Sequence, residues 1–203
     1  MSSGHALKHE PRRHNFRVNV RITWFEYAAI ATFLDVVDGR NRARLCHSGP
    51  MRWHYRDAGL LWPFVPAFAI HVAEEWFAGF TTWVVQLTGR SMPDAAFIGI
   101  NAVAMALLVL AIHAAIGDES KGWLAITIAA VFLINTVSHV AGSLLTRSYS
   151  PGLFSAVVLY VPLGSLTMIR AFDQAPQGEI RRGIVSALML HAVVFVIAFA
   201  VVG

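Results

Sequence analysis

The sequence predicts an all-α integral membrane protein, a bundle of five transmembrane helices behind a basic N-terminal extension. Three observations lead there. The 203 residues are 56% hydrophobic and only 14% charged, with a mean hydropathy of +0.57, more apolar than soluble domains usually are. The apolar residues gather into five runs separated by short polar breaks, and each run reaches the roughly 20 residues that a helix needs to cross a bilayer. The runs lack the alternation of barrel strands, so in lipid their backbone can be satisfied only as helices.

Residues 1–58 form a compositionally separate region. Lys8, Arg12, Arg13, Arg17 and Arg21 come first, and Arg40, Arg42, Arg44, Arg52 and Arg56 follow. The segment between them, residues 24–37, has Glu26 and Asp35 at its edges. Its apolar positions number about a dozen, short of a span, so an interfacial or loosely ordered helix is expected. No small-residue cleavage site follows it, which excludes a signal peptide. Met51 almost directly precedes the first strong hydrophobic segment, which leaves open an over-extended start and a functional chain beginning there. The single cysteine, Cys46, can form no internal disulfide and is silent about redox compartment. The pI of about 9.7 comes from this extension and one later loop, with no basic face in a folded domain. The expected partner of that charge is the bilayer surface and not nucleic acid.

The membrane domain, residues 59–203, carries predicted spans at about 60–86, 95–116, 123–145, 153–172 and 184–202. Pro63 and Pro66 fall in the first turns of the first span, where a missing amide is tolerated, whereas Pro162 lies inside the fourth and predicts a kink. Breaks on one side carry Lys121, Arg170, Arg181 and Arg182; those on the other carry only Arg90 and Arg147. The positive-inside rule then predicts a cytoplasmic N terminus and an external C terminus, unless residues 24–37 also span.

The first span holds His71, Glu74 and Glu75 near its middle. Each ionisable group there costs a few kcal/mol on insertion scales, so three within five residues require a compensating partner. At i, i+3 and i+4 they share one helical face, continued by Ala67, Ala78 and Thr82, small residues that let another helix approach. The third span offers a matching stripe of Asn135, Ser138, His139, Gly142 and Ser143. At ~1.5 Å per residue, Glu75 lies ~22 Å from the cytoplasmic end of its span, Asn135 ~18 Å and His139 ~24 Å, so the stripes are level. His191 on the fifth span, at ~11 Å, approaches the level of His71 at ~16 Å. Asn101 on the second span is a candidate interhelical polar contact near the same region.

These residues define a candidate site. His71, Glu74, Glu75, His139 and His191 are candidate metal ligands, and imidazole with carboxylate suits zinc, or iron or manganese. Two adjacent carboxylates in a dry interior need a cation or a shared proton. Glu74 and Glu75 are also the candidate catalytic groups, one holding an ion and one moving a proton, with Asn135, Asn101 and Tyr149 in support. Tyr149 to Gly152 opens the fourth span, with Pro151 suited to a helix start and Gly152 to close approach.

The segments HVAEE at 71–75, NTVSH at 135–139 and YSPG at 149–152 resemble, in order, the three signatures of the HXXEE family of small integral membrane proteins. The resemblance covers roughly residues 60–200. The family usually has Ala after the Asn of its second motif, where this chain has Thr136. The resemblance implies a metal-binding membrane protein of unestablished role, and would place Tyr149 over the outer mouth of the site.

Two functions fit the residues. In the first, a metal held by His71, one Glu and His139 activates water, and the other Glu acts as general base on a lipid or other membrane-resident substrate, which makes a metal-dependent hydrolase. In the second, the same groups form a proton or cation relay in a carrier; five helices without an evident repeat do not by themselves build alternating access, though an oligomer could. Desaturase-type di-iron enzymes use many more histidines. CAAX-type membrane proteases continue their Glu-Glu pair to an Arg where this chain has Gly79. No nucleophile elbow or glycine-rich phosphate loop appears in a credible context.

Overall fold

The computed structural model describes residues 54–201; the interfacial segment expected at 24–37 and the rest of the extension before His54 lie outside the described residues. We name α1 (Phe64–Phe77), α2 (Asp94–Gly117), α3 (Trp123–Thr146), α4 (Val161–Gln174) and α5 (Gln177–Val201). A helical turn, Leu153–Ser155, and a π-helical stretch, Ala156–Tyr160, lead into α4.

Among the described residues four helical stretches are long and apolar enough to cross a membrane: Asp94–Gly117, Glu119–Thr146, Leu153–Gln174 and Gln177–Ala198. The expected fifth, at 60–86, is not one helix, so the described residues carry four such stretches and not five. Its run is divided into the turn Ala58–Leu61, the 14-residue α1, and the short turns Phe80–Trp83 and Val85–Thr88. At ~1.5 Å per residue α1 is ~21 Å long, below the hydrocarbon thickness. The break follows from Gly79, whose φ of 77° ends α1 in the left-handed conformation, while the N–H of Ala78 donates to the Glu74 carbonyl at 2.8 Å. Glycine reaches that conformation without the Cβ penalty, which makes it the usual helix stop. An apolar count is blind to this, because Ala-Gly lowers hydropathy little.

The kink expected at Pro162 is taken up just before it. Proline has no N–H and its ring crowds the carbonyl four residues back; here the wide π turns Ala156–Tyr160 absorb the mismatch, and Pro162 sits in the first turn of α4. The last helix begins at Gln177 rather than 184, started by the Pro176 carbonyl, which accepts from the N–H groups of Glu179 and Ile180. Glu179 is in turn anchored by the Tyr55 hydroxyl at 2.7 Å. Burial and then the Glu179 carboxylate push that phenol up to about 12.

α3 is the central helix. The most apolar window of its stretch is 61% buried, against 17% for those of α2 and α5. α4 and α5 pack closely on it because each presents a glycine: a Cβ on Gly164 would lie 2.8 Å from Leu133 Cγ, and one on Gly183 would lie 2.6 Å from Ile126 Cβ. Phe132 on α3 packs between Phe64, edge to face at 4.7 Å between ring centroids, and Tyr160, tilted at 4.1 Å. That aromatic wedge joins α1, α3 and the π stretch beside the polar residues.

Candidate metal centre

α1 carries His71 and Glu75 one turn apart, and α3 presents His139 to them. All three are buried, at 2%, 7% and 5% exposure. Glu75 Oε1 lies 3.5 Å from His71 Nε2 and 3.4 Å from His139 Nε2, and the potential ligand atoms of the three all fall within 4.8 Å of one another. These separations exceed the ~2.7–3.2 Å of an N–H···O hydrogen bond. They match the ~3.3–3.4 Å edge of a tetrahedron whose ligands sit ~2.0–2.1 Å from a central ion. Two imidazoles and a carboxylate are the donor set of catalytic zinc and of facial-triad iron sites.

The far side of each imidazole is held by a serine. His71 Nδ1 lies 2.9 Å from Ser155 Oγ, and that hydroxyl donates to the Gly152 carbonyl at 3.2 Å. These bonds assign His71 the tautomer with its proton on Nδ1, given to Ser155, and its lone pair on Nε2. Asn135 Nδ2 donates to the same lone pair at 3.0 Å, and an ion bound there would displace that bond. His139 Nδ1 lies 3.0 Å from Ser150 Oγ, and the Ser150 N–H donates to Ser143 Oγ at 2.9 Å. Partners of this kind orient metal-binding histidines and fix their tautomer.

Gly152 closes the cluster. With φ at 96°, it sits so close that an added Cβ would meet His71 Cε1 at 2.7 Å, His139 Cε1 at 2.8 Å and Glu75 Cγ at 2.9 Å. Only glycine combines that backbone angle with that approach. On the neighbouring side the Tyr160 ring packs 4.6 Å from the His71 ring. Its hydroxyl is buried with no hydrogen-bond partner among the described residues.

Glu74 goes elsewhere. It accepts from the Tyr149 hydroxyl, from the Phe154 N–H at 3.1 Å and from the Ser155 N–H at 2.7 Å. Its carboxylate thus satisfies the free N–H groups that open the segment leading into α4. Glu74, expected as a ligand or base, is not among the three converging residues. His191, expected as a further ligand, is not either: its Nδ1 is buried without a hydrogen-bond partner among the described residues, and its ring lies 5.9 Å from that of Phe195. Asn101 bonds its own helix, Nδ2 to the Phe97 carbonyl at 3.0 Å. Tyr149 reaches Glu74 rather than the three-residue cluster.

The sequence marks Gly152 as a point of close approach but does not attach Ser150 or Ser155 to the cluster. Ser150 and Gly152 lie inside the third motif and Ser155 three residues beyond it, a signal that spacing alone attaches to no partner.

A family model described as "Protein of unknown function with HXXEE motif" matches residues 62–167, more than half of the chain. No curated protein and no solved structure matches.

Proposed function

The chain belongs to the HXXEE family, whose function is unknown, and we propose from its geometry that it is a membrane-embedded, metal-dependent hydrolase acting on a lipid-like or membrane-resident substrate. The convergence of His71, Glu75 and His139, with Glu75 Oε1 at tetrahedral-edge distance from each imidazole Nε2, carries this proposal. Membrane placement is supported by the four long apolar stretches and by large side chains left exposed on α2 and α5, among them Val103, Leu110, Val193 and Val196, too much apolar surface for water. The loop charges favour a cytoplasmic N terminus and an external C terminus.

A divalent ion of the zinc, iron or manganese class held there would polarise a substrate carbonyl and make bound water a nucleophile near neutral pH. The protein's own part is orientation. Ser155 and Ser150 fix the two imidazoles with Nε2 inward, Glu75 supplies the negative charge, and Gly152 brings the turn down over them. Glu74 acts as a positioning residue: by holding the Ser155 and Phe154 amides it sets the serine that orients His71.

Elemental analysis of detergent-purified protein tests this. Wild type is expected to hold close to one zinc, iron or manganese per chain, and His71→Ala and Glu75→Ala each to lose it. Metal-free wild-type protein defeats the proposal.

A second function is favoured by one observation. The His and Glu groups are buried and His71 is hydrogen-bonded on both ring nitrogens, to Asn135 and Ser155, and buried ionisable groups of this kind mark proton or cation relays in carriers. Proton flux into liposomes that persists in metal-free protein and stops in Glu75→Gln would select the relay.

A further inference from the structure

At the end of the bundle away from the metal centre, a groove of about 540 Å³ runs between α2, the start of α3 and the first turns of α5. Its wall on α2 is Leu107, Leu110, Ala111 and Ala114, at i, i+3, i+4 and i+7 on one face, so the wall follows the helix for ~10 Å. Leu124 faces it from α3. Its remaining lining includes Ser120 and the cations Lys121 and Arg182, with Asp118 beside Lys121. The groove therefore changes from hydrocarbon to charge along its length, where α2 ends at Gly117 and α3 begins at Trp123.

We propose that this groove binds an anionic glycerophospholipid, with the phosphate between Lys121 and Arg182 and an acyl chain along the α2 wall. The site is separate from the metal centre and shares with the preceding proposal only the placement in a membrane. The Arg182 guanidinium stacks on the Trp123 ring, 4.2 Å from its centroid. Stacking uses the face of the guanidinium and leaves its N–H edge for the paired hydrogen bonds that phosphate accepts. Lys121 is held near Asp118 Oδ2 at 3.3 Å, but that pair is about half exposed on both sides and so contributes little. Asp118 is also tied down by Ser120, whose N–H and hydroxyl both donate to Oδ1, and these bonds hold its carboxyl below the usual range. Lys121 can turn from Asp118 to a phosphate. Cationic pockets between helices at the membrane boundary recognise anionic headgroups.

Native mass spectrometry of the delipidated full chain, titrated with phosphatidylglycerol or phosphatidylcholine of identical chains, tests this. Each rim cation contributes about fivefold, so the anionic lipid should bind at least about fivefold more tightly. Lys121→Gln with Arg182→Gln should bring the ratio close to one. Arg181→Gln, which removes the same charge from the adjacent residue outside the groove, should leave it unchanged. Soluble glycerol phosphate should not displace the lipid, because it cannot fill the apolar wall. Equal binding of the two lipids, binding of neither, a preference that survives the double substitution, equal loss in Arg181→Gln, or displacement by glycerol phosphate would each overturn the proposal. Metal content read on the same samples keeps this outcome separate from the fate of the metal centre.

Discussion

Glu74 and Glu75 are adjacent in sequence and end in different environments. On a helix their side chains diverge by about 100°, enough to send Glu75 to two imidazoles and Glu74 to the turn that precedes α4. Tyr149 reports on that division because its hydroxyl donates to Glu74. Partial burial, and then the Glu74 carboxylate, push the Tyr149 phenol up to about 12. A raised phenol holds its proton in the folded state while the unfolded chain loses it near ~10. The stabilising contribution is therefore complete below ~10 and is lost as pH rises through about 12. Ultraviolet difference titration of wild type against Tyr149→Phe should show this tyrosine ionising late. Glu74→Gln should bring its midpoint down part of the way toward ~10, burial remaining as the larger cause. An unmoved midpoint would mean that Glu74 does not hold the phenol in solution.

The turn from Tyr149 to Gly152 and the break after α1 shape the centre at the level of elements. Gly79 shortens α1, and the chain returns through Trp83, whose indole N–H donates to Ser148 Oγ at 3.0 Å, with Ser148 in turn donating to Gln86 Oε1 at 3.0 Å. The broken end of the first segment thus braces the turn that carries Ser150 and Gly152. Gly152→Ala should cost on the order of 1–3 kcal/mol through backbone strain alone, with the contacts to His71, His139 and Glu75 adding to it. The thermal midpoint in detergent should fall and bound metal should drop. Gly178→Ala is the matched control, since its Cβ would meet nothing within 4 Å and the change should leave both measurements near wild type. Equal behaviour of the two variants would count against Gly152 closing the site.

Across the whole molecule, the proposed membrane topology turns on the first segment. α1 is too short to cross alone, and the turns Phe80–Trp83 and Val85–Thr88 carry the chain onward. If the broken segment completes a crossing, the number of passes after His54 is odd and the ends of the described chain lie on opposite sides. A phosphatase reporter fused after Gly203 is expected to be active and a cytoplasm-dependent reporter inactive; the reverse pattern would show that the segment dips in and returns. The helices α2 and α3 were legible as long apolar helices to within a residue or two, because an uninterrupted apolar run of that length, without strand alternation, points to a helix. The pairing of His71 and Glu75 with His139 was legible too, because helical periodicity puts polar residues on facing stripes. Periodicity does not say which of two neighbouring carboxylates turns toward a partner, whether His191 faces inward, or where Ala-Gly stops a helix, since each depends on side chains brought from far along the chain. The sequence by itself determined an all-α, apolar chain with a buried His and Glu cluster. Only the tertiary structure decided that the cluster is His71, Glu75 and His139, backed by two serines and closed by Gly152, because only packing shows which polar groups share one small volume.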